Sequence, residues 1–178
     1  EKNILGVNGL GGSIAMSSGK ISQNSTYFYR YDTNGAGVVL KNNASFAMSG
    51  GEISDNNTYS RGAGVYMEGT ESTVPKFKLS GGTIKGNYTQ PAIEVVTLGG
   101  GVYVGEYAEF TMENNAIIAD NRSDGLKGAN GGGVYLAAKG KCTMLGGTVS
   151  GNNAGYQSGY YDAMGGGVYT DGDLIVKG

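Results

Sequence analysis

The 178-residue sequence contains no histidine. This removes the commonest general acid–base side chain and the commonest metal ligand. A single cysteine, Cys142, leaves no internal disulfide framework and no thiolate zinc cluster. Only 2 prolines stand beside 35 glycines, and no three-residue period runs through them, which excludes collagen and a Pro-rich linker. Charge is scarce as well: 16% of residues, 13 basic and 15 acidic, for a net charge of -2. That balance carries no electrostatic footprint for nucleic acid or an anionic membrane. There is no apolar run long enough for membrane insertion. The opening Glu1-Lys-Asn-Ile-Leu lacks a signal-peptide pattern, so an exported chain would have its signal removed or placed elsewhere. No Gly-x-x-x-x-Gly-Lys loop occurs, and no cofactor is expected.

What is there is glycine and repetition. One phrase recurs as Gly-x-Gly-Val-Tyr or a close variant, with valines at Val38, Val65, Val102, Val134 and Val168, at intervals of 27, 37, 32 and 34 residues. A second phrase alternates apolar residues: Phe46 with Met48, Phe77 with Leu79, Phe110 with Met112, Cys142 with Met144, and Leu174 with Val176. A third carries Ile53, Ile84, Ile117 and Val149, each leading to an asparagine. A compressed copy, Ile14 to Asn24, precedes them.

Each phrase is short, alternates with period two and is fenced by glycines, which is the pattern of strands and not of helices. Three short strands per repeat describe one triangular coil. A single coil cannot bury its inner face, but stacked coils share a core. The expected fold is all-β: a single-stranded, right-handed parallel β-helix (β-solenoid) of about five to six coils of three short strands, with variable loops on one side. It should form one domain over 1–178, open at both ends, as a complete subunit or one segment of a longer stack.

The alternation assigns faces. The valines, the phenylalanine column and Ile53, Ile84, Ile117 and Val149 should point inward. Cys142 replaces a phenylalanine and reads as a small buried hydrophobe. Tyr66, Tyr103, Tyr135 and Tyr169 should form an outward stripe.

The Gly-Gly-Gly-Val-Tyr phrases at 99–104 and 131–136, with the Gly-Gly-Thr-Ile/Val-x-Gly-Asn phrases at 82–87 and 147–152, resemble bacterial right-handed parallel β-helix repeats. These are pectin-lyase-like in shape and fill large adhesin-like surface proteins. The resemblance implies an extracellular or cell-surface protein. It does not select a function, because this fold hosts lyases, hydrolases, adhesins and spacers alike.

The most regular polar feature is the column Asn24, Asn56, Asn87, Asn121 and Asn152, which reads as a structural ladder. Four of the five begin Asn-x-Ser/Thr triplets, ending at Thr26, Thr58, Thr89 and Ser123. These are either glycan acceptors or the trace of a second, hydroxyl column. Between each asparagine and the next glycine cluster lies a variable segment: Ser25–Asn34, Tyr88–Leu98, Arg122–Asn130 and Asn153–Met164. They hold Tyr27, Phe28, Tyr29, Arg30, Tyr31, Arg122, Tyr156, Tyr160 and Tyr161, a surface suited to sugar rings or a host protein.

Carboxylates are scattered, and no column repeats an acid. Asp55 and Asp120 precede the ladder asparagine, but Gly86 stands there in the coil between. No catalytic residue is expected. A last reading concerns the ends. Leu174-Ile-Val-Lys-Gly178 stops halfway through a coil, and Glu1 to Asn8 reads like the missing half. The favoured function is therefore a self-associating structural module of a surface assembly or filament. It would stack head-to-tail through Ile4, Leu5, Leu174 and Val176, with its partner a second copy or flanking repeats. The second reading is an adhesin binding carbohydrate or protein through the Tyr-rich loops, and the third a polysaccharide-active enzyme.

Overall fold

The computed structural model describes residues 6–26, 34–91, 95–156 and 162–177. Among these residues there is no helix, and every sheet is parallel. The chain forms a β-solenoid of about five turns. Its first side has six strands: Val7–Gly9, Val38–Lys41, Val65–Glu68, Val102–Val104, Val134–Leu136 and Val168–Thr170. The second side also has six: Ser13–Met16, Ser45–Met48, Lys76–Leu79, Glu109–Met112, Lys141–Met144 and Asp173–Val176. The third has five: Lys20–Ser22, Glu52–Ser54, Thr83–Lys85, Ile117–Ala119 and Thr148–Ser150.

Like stacks on like. Val102 pairs with Val65 and Val134, and Phe110 pairs with Phe77 and Cys142. Phe46, Phe77 and Phe110 stack ring on ring with centroids 5.1 and 5.2 Å apart. Offset aromatic stacking adds to the area these rings remove from water.

Three expectations are corrected. The inward residue on the fourth third-side strand is Ile118, in register with Ile84 and Val149, while Ile117 faces out. Here Asn114-Asn115-Ala116 stands where other coils have glycines, and the extra apolar residue displaces the frame by one position. A one-residue slip exchanges the two faces of a strand.

Coils also have more than three strands. The variable segments contribute a fourth side (Asn57–Thr58, Tyr88–Thr89, Arg122–Gly125, Asn153–Tyr156) and a fifth (Thr97–Leu98, Ala129–Asn130, Ala163–Met164). These segments therefore stack as rungs of their own instead of emerging wholly as loops.

Finally, Gly6 and Val7 do not supply a missing third-side strand. Val7 pairs with Val38, so this segment opens the first side.

Candidate functional site

The asparagine column is a continuous ladder. The backbone N–H and the Nδ2 of Asn24 both donate to Oδ1 of Asn56, at 3.1 and 2.8 Å. Asn56 repeats this onto Asn87, Asn87 onto Asn121, and Asn121 onto Asn152. The Nδ2 groups of Asn56, Asn87, Asn121 and Asn152 also reach back to third-side carbonyls, as Asn87 does to Ile53 at 3.0 Å. Asn56, Asn87 and Asn121 are fully buried and Asn24 nearly so.

The hydroxyls of the triplets form the second column. Thr26 donates to Thr58 at 2.8 Å, Thr89 to Ser123 at 2.9 Å, and Ser123 to Thr97 on the fifth side at 3.1 Å. Both columns face inward, so the triplet spelling follows from two adjacent buried ladders. In the folded chain the Nδ2 groups of Asn56, Asn87 and Asn121 each donate both to the next asparagine and to a backbone carbonyl.

The residue before each ladder asparagine explains the scattered acids. Gln23, Asp55, Gly86, Asp120 and Gly151 all have positive φ, between 54 and 63°. Glycine, and next to it Asp and Asn, tolerates this left-handed conformation. Asp55 and Asp120 are turn residues, each lying against the glycine of the next coil: a Cβ on Gly86 would stand 2.8 Å from the Asp55 carboxylate. Elsewhere Lys76 pairs with Glu109 at 3.0 Å and Lys78 with Glu113 at 2.9 Å, along a shallow trough on the second side floored by Ser13, Ala15, Ser45 and Ala47.

Tyr66, Tyr103, Tyr135 and Tyr169 form a face-to-face stack with centroids 5.1, 5.4 and 5.2 Å apart. This outward stripe is covered where Arg61 and Leu98 lie against it, leaving Tyr66 1% and Tyr103 4% exposed. Tyr135 and Tyr169 share Asp171, donating to its two oxygens at 2.9 and 3.1 Å. Burial, then its own hydrogen bond to Asp171, raises the Tyr135 phenol pKa well above its ordinary value.

The fourth side holds the most organised polar cluster. Arg122 grips Asp124 with two donors, Nε to Oδ1 at 2.7 Å and Nη2 to Oδ2 at 2.6 Å. The Tyr88 hydroxyl donates to Asp124 Oδ2 at 3.0 Å. The guanidinium lies 5.7 Å from the Tyr88 ring centroid. Burial, then the Asp124 bond, pushes the Tyr88 phenol up to about 12. Arg122 and Asp124 are both charges of the variable segments, but the sequence reading does not pair them or include Tyr88; the signal missed was the alternation Arg122-Ser-Asp124, which places both charged groups on one face.

Tyr27, Phe28, Tyr29, Arg30, Tyr31, Tyr160 and Tyr161 lie outside the described residues, as do Ile4 and Leu5. Tyr156 ends a fourth-side strand opposite Gly125. Leu174 packs half-buried against the core, and Val176 is 68% exposed. Among the described residues no group of three or more Cys, Asp or Glu side chains could hold a metal. Comparison with protein families, with curated proteins and with solved structures finds no match.

Proposed function

We propose that this chain is a structural, self-associating β-helix module of an extracellular or cell-surface assembly, stacking through its terminal rungs. One observation carries the reading. The inner apolar residues are buried through the middle coils, whereas the partly covered ones, Val7, Ile14, Met16, Ile21, Val149, Val168 and Leu174, all belong to the end rungs. The outer edges of Val7–Gly9 and Ser13–Met16 at one end, and of Val168–Thr170 and Asp173–Val176 at the other, have no neighbouring strand among the described residues. Unpaired parallel edges backed by apolar side chains are templates for a further strand. Val168 continues the column that begins at Val7, and Leu174 the column that begins at Ile14. A head-to-tail contact keeps every pairing parallel and propagates without closing. Ile4, Leu5, Leu174 and Val176 are the proposed contact residues.

Sedimentation velocity over a hundredfold concentration range tests this. The sedimentation coefficient should rise with concentration for the native chain and stay at one value for Val176→Lys. A concentration-independent monomer in both would overturn the proposal.

A further inference from the structure

The outward face of the second side changes character along the solenoid. Outward residues alternate with core residues along each strand. The first two rungs therefore present Ser13, Ala15, Ser45 and Ala47, and Ser17 and Ser49 continue the same face past the strand ends. These rungs floor the shallow trough. The third rung is basic, with Lys76 and Lys78, and the fourth acidic, with Glu109 and Glu113. On the last two rungs stand Leu145 and Ile175, 47% and 48% exposed.

One face thus carries a hollow at one end, two apolar knobs at the other and a step of charge between them. That arrangement is complementary to itself. A second copy turned over about an axis parallel to the strands, between the third and fourth rungs, lays each rung on its opposite number. Lys76 then meets Glu109 of the second copy, and Glu109 meets its Lys76. Ile175 comes down on Ala15, and Leu145 on Ser49. The remaining charges, Lys141, Asp173 and Lys177, meet Ser45, Ser13 and Ser17, so no like charges face each other. A two-fold axis along the solenoid instead lays Lys78 on Lys78, Glu109 on Glu113, and hollow on hollow. Charge therefore selects the antiparallel arrangement.

We propose that the outward face of the second side is a lateral contact between two copies of this chain packed antiparallel. Strand and rung spacings make this face about 450 Å². A standard interface covers about 800 Å² per partner. A single pair is therefore weak, and modules joined end to end would add their faces. The contact itself lies on the flank and does not depend on end-to-end stacking.

Disulfide trapping tests it. The antiparallel contact brings position 49 of one copy against position 145 of the other. Within one chain, and equally across an end-to-end joint, the two positions are three rungs apart, about 14 Å. A disulfide cannot span that distance. Mild oxidation of Ser49→Cys/Leu145→Cys should therefore give a covalent dimer, and each single variant should give none. Adding Lys76→Glu to that pair turns two attractions into two repulsions and should lower the yield about tenfold. Adding Glu109→Lys as well should restore it. Lys76 and Glu109 are 62% and 40% exposed, so the thermal melting of all these chains should agree, and a lost dimer is then not a lost fold. Absence of the dimer, a yield indifferent to Lys76→Glu, or a dimer from Ala47→Cys alone, which the parallel arrangement would give, would each overturn the proposal.

Discussion

The side-chain nitrogen of Asn87 lies 3.0 Å from where a Cβ on Gly64 would stand. The glycine phrase and the asparagine column are therefore one lock. The third residue of each Gly-x-Gly-Val phrase must be bare because the ladder amide rests against it, and the same contact recurs at Gly37 with Asn56 and at Gly101 with Asn121. The carbonyl of Gly101 closes the position from the next coil, 2.5 Å from the same hypothetical Cβ.

Gly64→Ala should therefore destabilise the fold by about 2 kcal/mol or more, as overpacking of a rigid site does. Removing the amide as well should not restore stability, since the Gly101 carbonyl stays in place. Urea midpoints of Gly64→Ala, Asn87→Ala and the double variant form the cycle that checks this. A double variant as stable as Asn87→Ala alone would contradict it.

Asn87→Ala takes away the oxygen that accepts from both the backbone and the side chain of Asn56. Orphaned buried donors cost about 1–3 kcal/mol each, so the expected loss is about 3 kcal/mol. Asn152→Ala, at the exposed end of the ladder, should cost less. Equal losses at the two positions, read from thermal or urea unfolding, would contradict a ladder that is tightest in its middle.

Most of the core was legible in the sequence because stacked coils force equivalent residues to repeat in kind. Val38 to Val168 and Phe46 to Phe110 are identical or nearly so for that reason. Ile118 was misplaced because its coil lacks the glycine pair that frames the others. Counting back from the ladder would have found it: Ile53, Ile84, Ile118 and Val149 each stand three residues before their asparagine. The fourth and fifth sides were less legible because their strands are two to four residues long, too short for a period to register. The burial of Asp124 was illegible for another reason: a buried carboxylate and a solvated one have the same letter.

Glu52 is gripped by Lys20 at 2.8 Å and Lys85 at 3.0 Å. The hydrogen bonds from Lys20 and then Lys85 lower its carboxyl from an ordinary 4.5 to about 2. A carboxylate with a depressed folded pKa contributes stability that is fully present above the unfolded value and lost as pH falls toward the folded one. The native chain should thus lose more stability than Glu52→Gln between pH 5 and 2. Urea midpoints across that range check the sign, and parallel curves for the two chains would contradict it.

Burial pushes the Cys142 thiol up to about 12. The thiolate is the reactive form, so at pH 8 the folded chain should react with a disulfide reagent far more slowly than the unfolded chain. Ellman titration with and without 8 M urea checks this. Immediate reaction of the folded chain would place Cys142 outside the core.

The most direct test of the account is negative-stain imaging of the purified chain at rising concentration. Five intervals between first-side strands give each module a rise of roughly 25 Å. Joined modules should appear as rods one solenoid wide that lengthen with concentration, and Val176→Lys should abolish them. Particles of a single module's length at every concentration would contradict it.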